Sequence, residues 1–496
     1  MPKHIMTFDI GTSSLKTALI DEWGKVVAEG GASYPIKQPE NGWAEQDPEV
    51  IWKHICETSR VVMRKSSVAR DDVHGVVFVA PWKNIICLNN QGEVLRDSII
   101  WMDSRAVVQA ERLNKSAGTF VGTGQEYWPR LMWLKENQPE IWQQSNHIVG
   151  LNTYFKYKAT GNLFTEPSDD FIRSDNPELN DYYQQVLRAA DLMDDLDKFP
   201  LSRKAQETIG VLTAAAADEL GLRGDVPVFG GFGDLVAITW GVGRSQLDDA
   251  HLYFGTSSWL VSIIGKRSDL DAPLYFSIDR ETQGAVYALQ TGCLALDWLA
   301  DQVYRVERTI LESDIYNLIS KEAGQIAPGS EGVIAAHWLN GELAPFSQNA
   351  KGFFLNLSIN HDRRHMARAM MESICFTHRH NLERLHGLSG RLQNHIRVVG
   401  GGAVNDVWMQ MLADILQIKV QIPEAPRYTG TIGAYYCAAM GLGWLNDLNT
   451  MADKVAIQKE FIPNPGNKDV YDNNYRVYMK IHSALKDIHR DLNGEY

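Results

Sequence analysis

Met6–Ile20 reads MTFDIGTSSLKTALI, and His251–Gly265 reads HLYFGTSSWLVSIIG. Each stretch is an apolar strand, a Gly-Thr-Ser-Ser turn and a second apolar strand. A four-residue match can arise by chance. The same strand pattern on both sides of it, once in each half of the chain, makes an internal duplication the better reading. The duplication predicts two related α/β domains facing each other. Gly11 sits in a strand–turn–strand rather than a strand-to-helix turn, and nothing fits GxxxxGK[ST], so a P-loop is excluded.

Outward from the first copy, DEWGK (Asp21–Lys25) is a turn into the strand VVAEGGASY. PEVIWKHICETSRVVMRK follows as a helix, with Asp47 as its N-cap. VHGVVFVA and NIICLN are buried strands joined by Pro81-Trp82-Lys83. From Gly118 to about Leu212 the chain is irregular and aromatic. VPVFGGFGDLVAITWGVG (Val226–Gly243) is strand, glycine turn and a helix starting near Asp234, with a domain boundary just after it. In the second half, HIRVVGGGAVNDVWMQMLADIL is strand, triple glycine, helix, and PRYTGTIGAYYCAAMGLG starts another helix. The expected domains are 1–243 and 244–455. A segment at 456–496 is expected to form an amphipathic helix that packs back on the first domain.

Composition narrows the function. The 496 residues are 44% hydrophobic and 22% charged, an ordinary globular balance whose length suggests two or three domains. With 48 basic and 61 acidic residues the formal charge is −13, which disfavours phosphate backbones and so nucleic acid. No segment approaches the roughly 18 uninterrupted apolar residues of a membrane span. The N-terminus shows no signal-peptide pattern, and the five cysteines are scattered without a CxxC pair. Both point to a cytoplasmic protein with reduced thiols. Fourteen tryptophans suit a large buried or ligand-lined cleft.

The chemistry concentrates in four places. In DIGTSSLK, the turn Gly11-Thr12-Ser13 offers N–H groups and hydroxyls to an anion, Lys16 adds charge, and Asp9 can hold magnesium through water. The bland reading is a plain hairpin; the second turn, Gly255-Thr256-Ser257, favours phosphate binding instead. Gly400-Gly401-Gly402 lets a flat ring or phosphate reach the backbone, and Asn405 either contacts a base or caps the helix. Asp234 is either a helix cap or a general base toward a substrate hydroxyl. Asp103 and Arg105 bind sugar hydroxyls or pair with each other.

Taken together, the chain resembles the FGGY carbohydrate kinases of the actin-like ATPase superfamily, over nearly its whole length and in the right order. DIGTSSLK and FGTSS resemble the two phosphate loops. NGWAEQDPEVIW matches an early segment, IIWMDSRA the sugar-contacting W-x-D-x-R stretch, and WPRLMWLKENQPE the first signature, with Arg130 where lysine is usual. KGFFLNLSINHDRRHMARAMMESICF resembles the second signature, and VVGGGAVNDVWMQMLADIL the adenosine-binding segment.

The resemblance implies two ribonuclease H-like domains, each with a mixed five-stranded sheet, and an active site in the cleft between them. ATP and Mg²⁺ are the implied cofactors, a small sugar, polyol or sugar acid the substrate, and a homodimer the candidate assembly. It implies Asp234 as catalytic base and, with Asp9, as magnesium ligand. It also puts Gly401, Gly402 and Asn405 at the nucleotide.

The sequence departs from xylulose kinases where they commonly carry Met-His: here stands Pro81-Trp82-Lys83-Asn84. Trp82 and Lys83 are therefore candidate substrate contacts, against the alternative of a solvated lysine in a strand turn. Gly341-Glu342-Leu343 and Tyr428–Gly433 also differ from the familiar pattern. A non-catalytic sugar sensor or a chaperone-like relative would lack the aspartate, a phosphate loop or the sugar-contacting segments, all of which are present.

Overall fold

The computed structural model describes residues 2–40, 42–243, 247–265, 274–277, 282–343, 346–347, 349–389, 393–446 and 455–494. The chain forms two compact units. Unit 1 comprises Met1–Gly241, Ser277–Arg280 and Gly430–Leu448; unit 2 comprises Val242–Phe276, Glu281–Thr429 and Asn449–Tyr496.

Unit 1 is built on a seven-stranded sheet. Its strands β1 (His4–Ile10), β2 (Ser14–Asp21) and β3 (Val26–Ser33) form an antiparallel meander. Helix α1 (Pro48–Ser66) follows. Asp47 caps it by accepting from Glu49 N, and Ile51, Trp52, Ile55, Ser59 and Val62 bury one helical face. The next strand, β4 (Val73–Ala80), runs parallel to β1, and α1 is the helical crossover that such a pairing needs.

Two helices, α2 (Tyr127–Asn137) and α3 (Leu151–Thr160), lie in the aromatic insertion. Much of that insertion has its own core, where Tyr127, Trp128, Trp142, Phe171 and Tyr183 are buried. The sheet then closes with β5 (Thr208–Val211), β6 (Pro227–Phe229) and the short β7 (Phe232–Gly233), which leads directly into α4 (Asp234–Gly241). The order is β3-β2-β1-β4-β6-β5, with β7 also paired to β4.

Unit 2 repeats the plan. Strands β8 (Ala250–Phe254), β9 (Ser258–Gly265), β10 (Leu274–Ser277) and β11 (Thr282–Leu289) precede the long helix α5 (Arg363–Ser389). Then come β12 (His395–Val399), α6 (Asp406–Leu416) and β13 (Lys419–Pro423). The order is β10-β11-β9-β8-β12-β13-β14, where α7 (Thr429–Gly441) separates β13 from β14 (Ile457–Phe461) and α8 (Lys468–Asn493) ends the chain. Each sheet thus contains the five expected strands and adds two more, so the five-stranded expectation is an undercount.

Two further expectations need correction. Helix α7 joins unit 1 from Gly430 onward, although it follows the strands of unit 2. Its glycines explain this: a Cβ on Gly433 would stand 1.8 Å from Ala237 O of α4, and one on Gly441 would meet Phe229 and Gln206. Only bare backbone fits there. The final helix, α8, packs on unit 2 rather than the first domain. Tyr471, Tyr475, Tyr478 and Ile481 are buried in the same core as Met370, Ile374 and Trp408. Arg368 donates to Tyr471 Oη, which donates to Glu372. The amphipathic pattern identifies a buried face; it does not identify which core that face meets.

Candidate active site

In unit 1, the turn at Gly11–Ser13 is held by its carbonyls. Gln46 Nε2 donates to Thr12 O at 2.6 Å, Tyr34 N to Ser13 O at 3.1 Å, and the Tyr34 hydroxyl to Gly11 O. Trp101 Nε1 donates to Thr12 Oγ1 at 3.0 Å, which leaves that hydroxyl its own proton to donate. With its acceptors engaged by the protein, the turn has N–H and O–H groups left to offer, which is the polarity an anion needs. Asp9, at the end of β1, is buried, and Lys16 Nζ lies 3.4 Å from its Oδ2 across the β1–β2 pair.

Asp234 stands at the same edge of the sheet. Gly233 pairs with Ala80, so β7 and β4 end side by side. The Asp234 carboxylate is partly exposed and accepts from Leu235 N at 2.9 Å. Burial, and then the nearby Asp9 carboxylate, push it up to about 6; the Leu235 N–H and Lys16 oppose the shift. Asp9 thus acts on Asp234, and Lys16, paired with Asp9, acts on it in the opposite sense. The first turn of α7 presses on the same place: a Cβ on Gly430 would stand 2.5 Å from Asp9 Oδ2.

Beneath Asp234 lies a buried polar network absent from the motif reading. Gly233 N donates to Ser168 Oγ (2.8 Å), whose hydroxyl donates to Glu166 Oε1 (2.7 Å). Lys156, fully buried, donates to Gly230 O at 2.8 Å. Burial raises the Glu166 carboxyl and lowers the Lys156 amine, each partly offset by the other's charge. Asp169 accepts from Lys83 N at 2.7 Å and lies well above the carboxylate range, mainly through burial. The signals were available: three acids in the five residues EPSDD, and a lysine inside the apolar helix α3.

The loop after β4 is more constrained than a solvated turn. Lys83 has φ +59, is 8% exposed, and places Nζ 2.7 Å from Glu126 Oε2. The ammonium lies 4.9 Å from the Trp82 ring centre and 5.5 Å from that of Phe171. Arg130, buried in α2, donates to Lys83 O at 2.7 Å and to Ile100 O at 2.6 Å. The solvated-lysine reading is therefore wrong.

Asp103 and Arg105 pair with each other, the second of their two readings. Arg105 Nε and Nη2 donate to the two Asp103 oxygens at 2.8 and 2.7 Å, and Nη2 also reaches Glu45 at 2.6 Å. Ala44 N takes Asp103 Oδ2 as well, and the guanidinium lies 3.7 Å from the Trp43 ring centre. The pair braces an aromatic wall, and Arg105 Nη1 is buried without a hydrogen-bond partner.

In unit 2, the turn Gly255–Ser257 repeats the construction. Cys293 N donates to Gly255 O (2.7 Å) and Gly292 N to Thr256 O (3.0 Å). Its buried neighbour Ser258 donates to Tyr253 O and lies 2.7 Å from His378 Nε2. Strands β8 and β12 are parallel neighbours, which brings Gly400–Gly402 beside this turn. Gly400 has φ +99, and a Cβ there would stand 2.4 Å from Phe254 O. Gly401 is exposed with nothing near its Cβ position, whereas Gly402 packs on Cys293 and Phe254. Asn405 caps α6 by accepting from Trp408 N, and its amide donates to Ser320 Oγ at 2.6 Å. Of its two readings, the cap is the one formed.

Two duplicated sheets, each with a Gly-Thr-Ser turn at one edge, define the class: the actin-like ATPase fold of the sugar kinases. A xylulose kinase and a gluconate kinase from Lactobacillus acidophilus share this fold. Each has a TM-score of 0.84, is 24% identical and is covered over 98% of both chains. The sequence model of the FGGY family of carbohydrate kinases, N-terminal domain, matches residues 4–241, and that of the C-terminal domain matches residues 252–442. The chain belongs to the FGGY family of carbohydrate kinases. It is also 27% identical to the xylulose kinase of Lactococcus lactis subsp. lactis, over 99% of this chain and 98% of that one. It is an ATP-dependent sugar kinase, transferring the γ-phosphate of ATP to a hydroxyl of a small sugar or sugar acid.

Proposed function

We propose that Asp234 is the general base of this kinase. Its carboxylate takes the proton of the acceptor hydroxyl as that oxygen bonds to the γ-phosphorus and the bond to the departing ADP oxygen breaks. The observation that carries this is the place of Asp234, partly exposed where β7 and β4 end side by side; burial and Asp9 push its carboxyl up to about 6, toward the range of a neutral-pH base. Asp9 and Asp234 suit Mg²⁺: both are hard oxygen donors held close together. Bound there, Mg²⁺ would neutralise charge on the transferring phosphoryl group.

The turns Gly11-Thr12-Ser13 and Gly255-Thr256-Ser257 each donate to phosphate oxygens, with Lys16 adding charge at the first. Gly401, open and without a side chain, admits the adenosine, and Gly402 and Asn405 support that loop. Trp82 and Lys83 lie on the substrate side, and Asp103 and Arg105 act through the wall they brace. The substrate would be a ketose such as xylulose, or a polyol, handled in the cytoplasm where ATP is plentiful, and the assembly would be a homodimer.

Asp234→Asn tests the assignment. Turnover should fall by at least about a hundredfold, the lower end of the worth of a general base. Binding of ATP and sugar, followed by tryptophan fluorescence, should persist. Turnover within a few-fold of the parent would show that Asp234 only caps α4.

A further inference from the structure

The strands β4 and β7 end side by side, so Pro81-Trp82-Lys83 and Asp234 leave the sheet at the same edge. Adjacent residues tie them together: Ser168 holds Gly233 N and Asp169 holds Lys83 N. Lys83 therefore leaves the sheet at the same edge as Asp234, on its proposed acceptor side. Its charge is already answered. Glu126 Oε2 lies 2.7 Å from Nζ, both side chains are mostly buried, and among the described residues Glu126 forms no other ion pair.

The other cations nearby are engaged too. Lys156 donates to Gly230 O, Arg130 to two carbonyls, Arg105 to Asp103 and Glu45, and Lys16 faces Asp9. Against them stand Asp9 and Asp234, while burial raises the Glu166 and Asp169 carboxyls toward their neutral forms. A substrate carboxylate entering here would find Lys83 already paired and would have to displace Glu126 from it. A neutral hydroxyl could still accept from Lys83 or donate to Glu126.

We propose that Glu126 is a specificity-determining residue: by cancelling Lys83 it makes the acceptor site select neutral sugars and polyols and reject sugar acids. This rests on the acceptor-side placement proposed above and adds the substrate's charge class.

The test compares D-xylulose, D-ribulose and xylitol with D-xylonate and D-gluconate, for the wild type, Glu126→Gln and Glu126→Asp. Turnover is read by ADP release, and binding without nucleotide by tryptophan fluorescence. The wild type should favour the best neutral compound. Glu126→Gln should raise the acid-to-neutral ratio of kcat/KM by roughly tenfold to a hundredfold, the worth of one unmasked charge-assisted hydrogen bond. Glu126→Asp, which keeps the charge, should leave the ratio near that of the wild type and guards against loss of folding in the first variant.

An unchanged ratio in a folded Glu126→Gln, or a wild type that uses or binds an acid as well as any neutral compound, overturns the proposal. The fluorescence titration reads charge preference without turnover. Normal binding selectivity with no loss of turnover in Asp234→Asn would therefore sink the general-base reading and leave this one standing.

Discussion

The two units share one plan and differ in what surrounds the plan's key turn. In unit 1 the Gly-Thr-Ser turn has Asp9, Asp234 and Lys16 beside it, with a second layer of buried charges beneath. In unit 2 the equivalent turn rests on neutral groups: Ser258 against His378, Phe254 packed on Trp408, and a triple glycine alongside. The fold supplies a turn that can hold an anion, and it does so twice. Among the described residues, the carboxylate proposed as general base flanks the first copy. The same plan thus carries different side chains around its two turns.

Glycines in the two units give the sharpest way to break this comparison. Gly430→Ala places a Cβ against the Asp9 carboxylate and should cut kcat/KM by more than a hundredfold. Gly401→Ala meets open space and should change only the ATP constant, by a few-fold. Comparable damage from both would erase the distinction.

The charge held at Asp234 also has a thermodynamic signature. Its folded pKa, about 6, lies above the ordinary carboxylate value, so ionisation disfavours the folded state. The penalty is absent below about pH 4, grows as pH rises to about 6, and is constant above that. Without divalent cation, Asp234→Asn should therefore be stabilised by about 1–3 kcal/mol at pH 7 and by almost nothing at pH 4, as read from denaturant midpoints. Equal effects at both pH values would remove the electrostatic cause.

Thr12→Val and Thr256→Val probe what the units have in common. Each should raise the Michaelis constant for ATP roughly tenfold, one hydrogen bond's worth, and leave sugar affinity without nucleotide unchanged. A variant that loses sugar binding but keeps normal ATP use would contradict the assignment of its turn.

The smallest effect concerns unit 2's neutral support. Burial lowers His378 to about 3, so protonation favours the unfolded chain. Stability from this group is complete above about pH 6.5 and declines by about 1.4 kcal/mol per unit as pH falls toward 3. His378→Gln should flatten that decline between pH 6.5 and 5, and an unaltered slope would show that other groups set it.

Much was legible in the sequence because it is local. Strand–turn–strand patterns, the Asp47 cap and the glycine-rich turns depend on neighbours in the chain, and the duplicated GTSS units with the Gly-Asp pair of Asp234 identify the family. The readings left open locally were decided by near and distant partners together. Asn405 is a cap because Trp408 N and Ser320 reach it; Asp103 and Arg105 form a pair because Glu45 and Trp43 complete the pocket around them.

Only the tertiary structure shows that α7 returns to press Gly430 on Asp9, or that α8 settles in unit 2. Nor does the order of residues reveal that Glu126 neutralises Lys83 across 43 positions. The physical reason is the same in each case. Periodicity and turn chemistry fix how a segment folds on itself, whereas burial and electrostatic energy depend on which faces and charges the completed fold brings together.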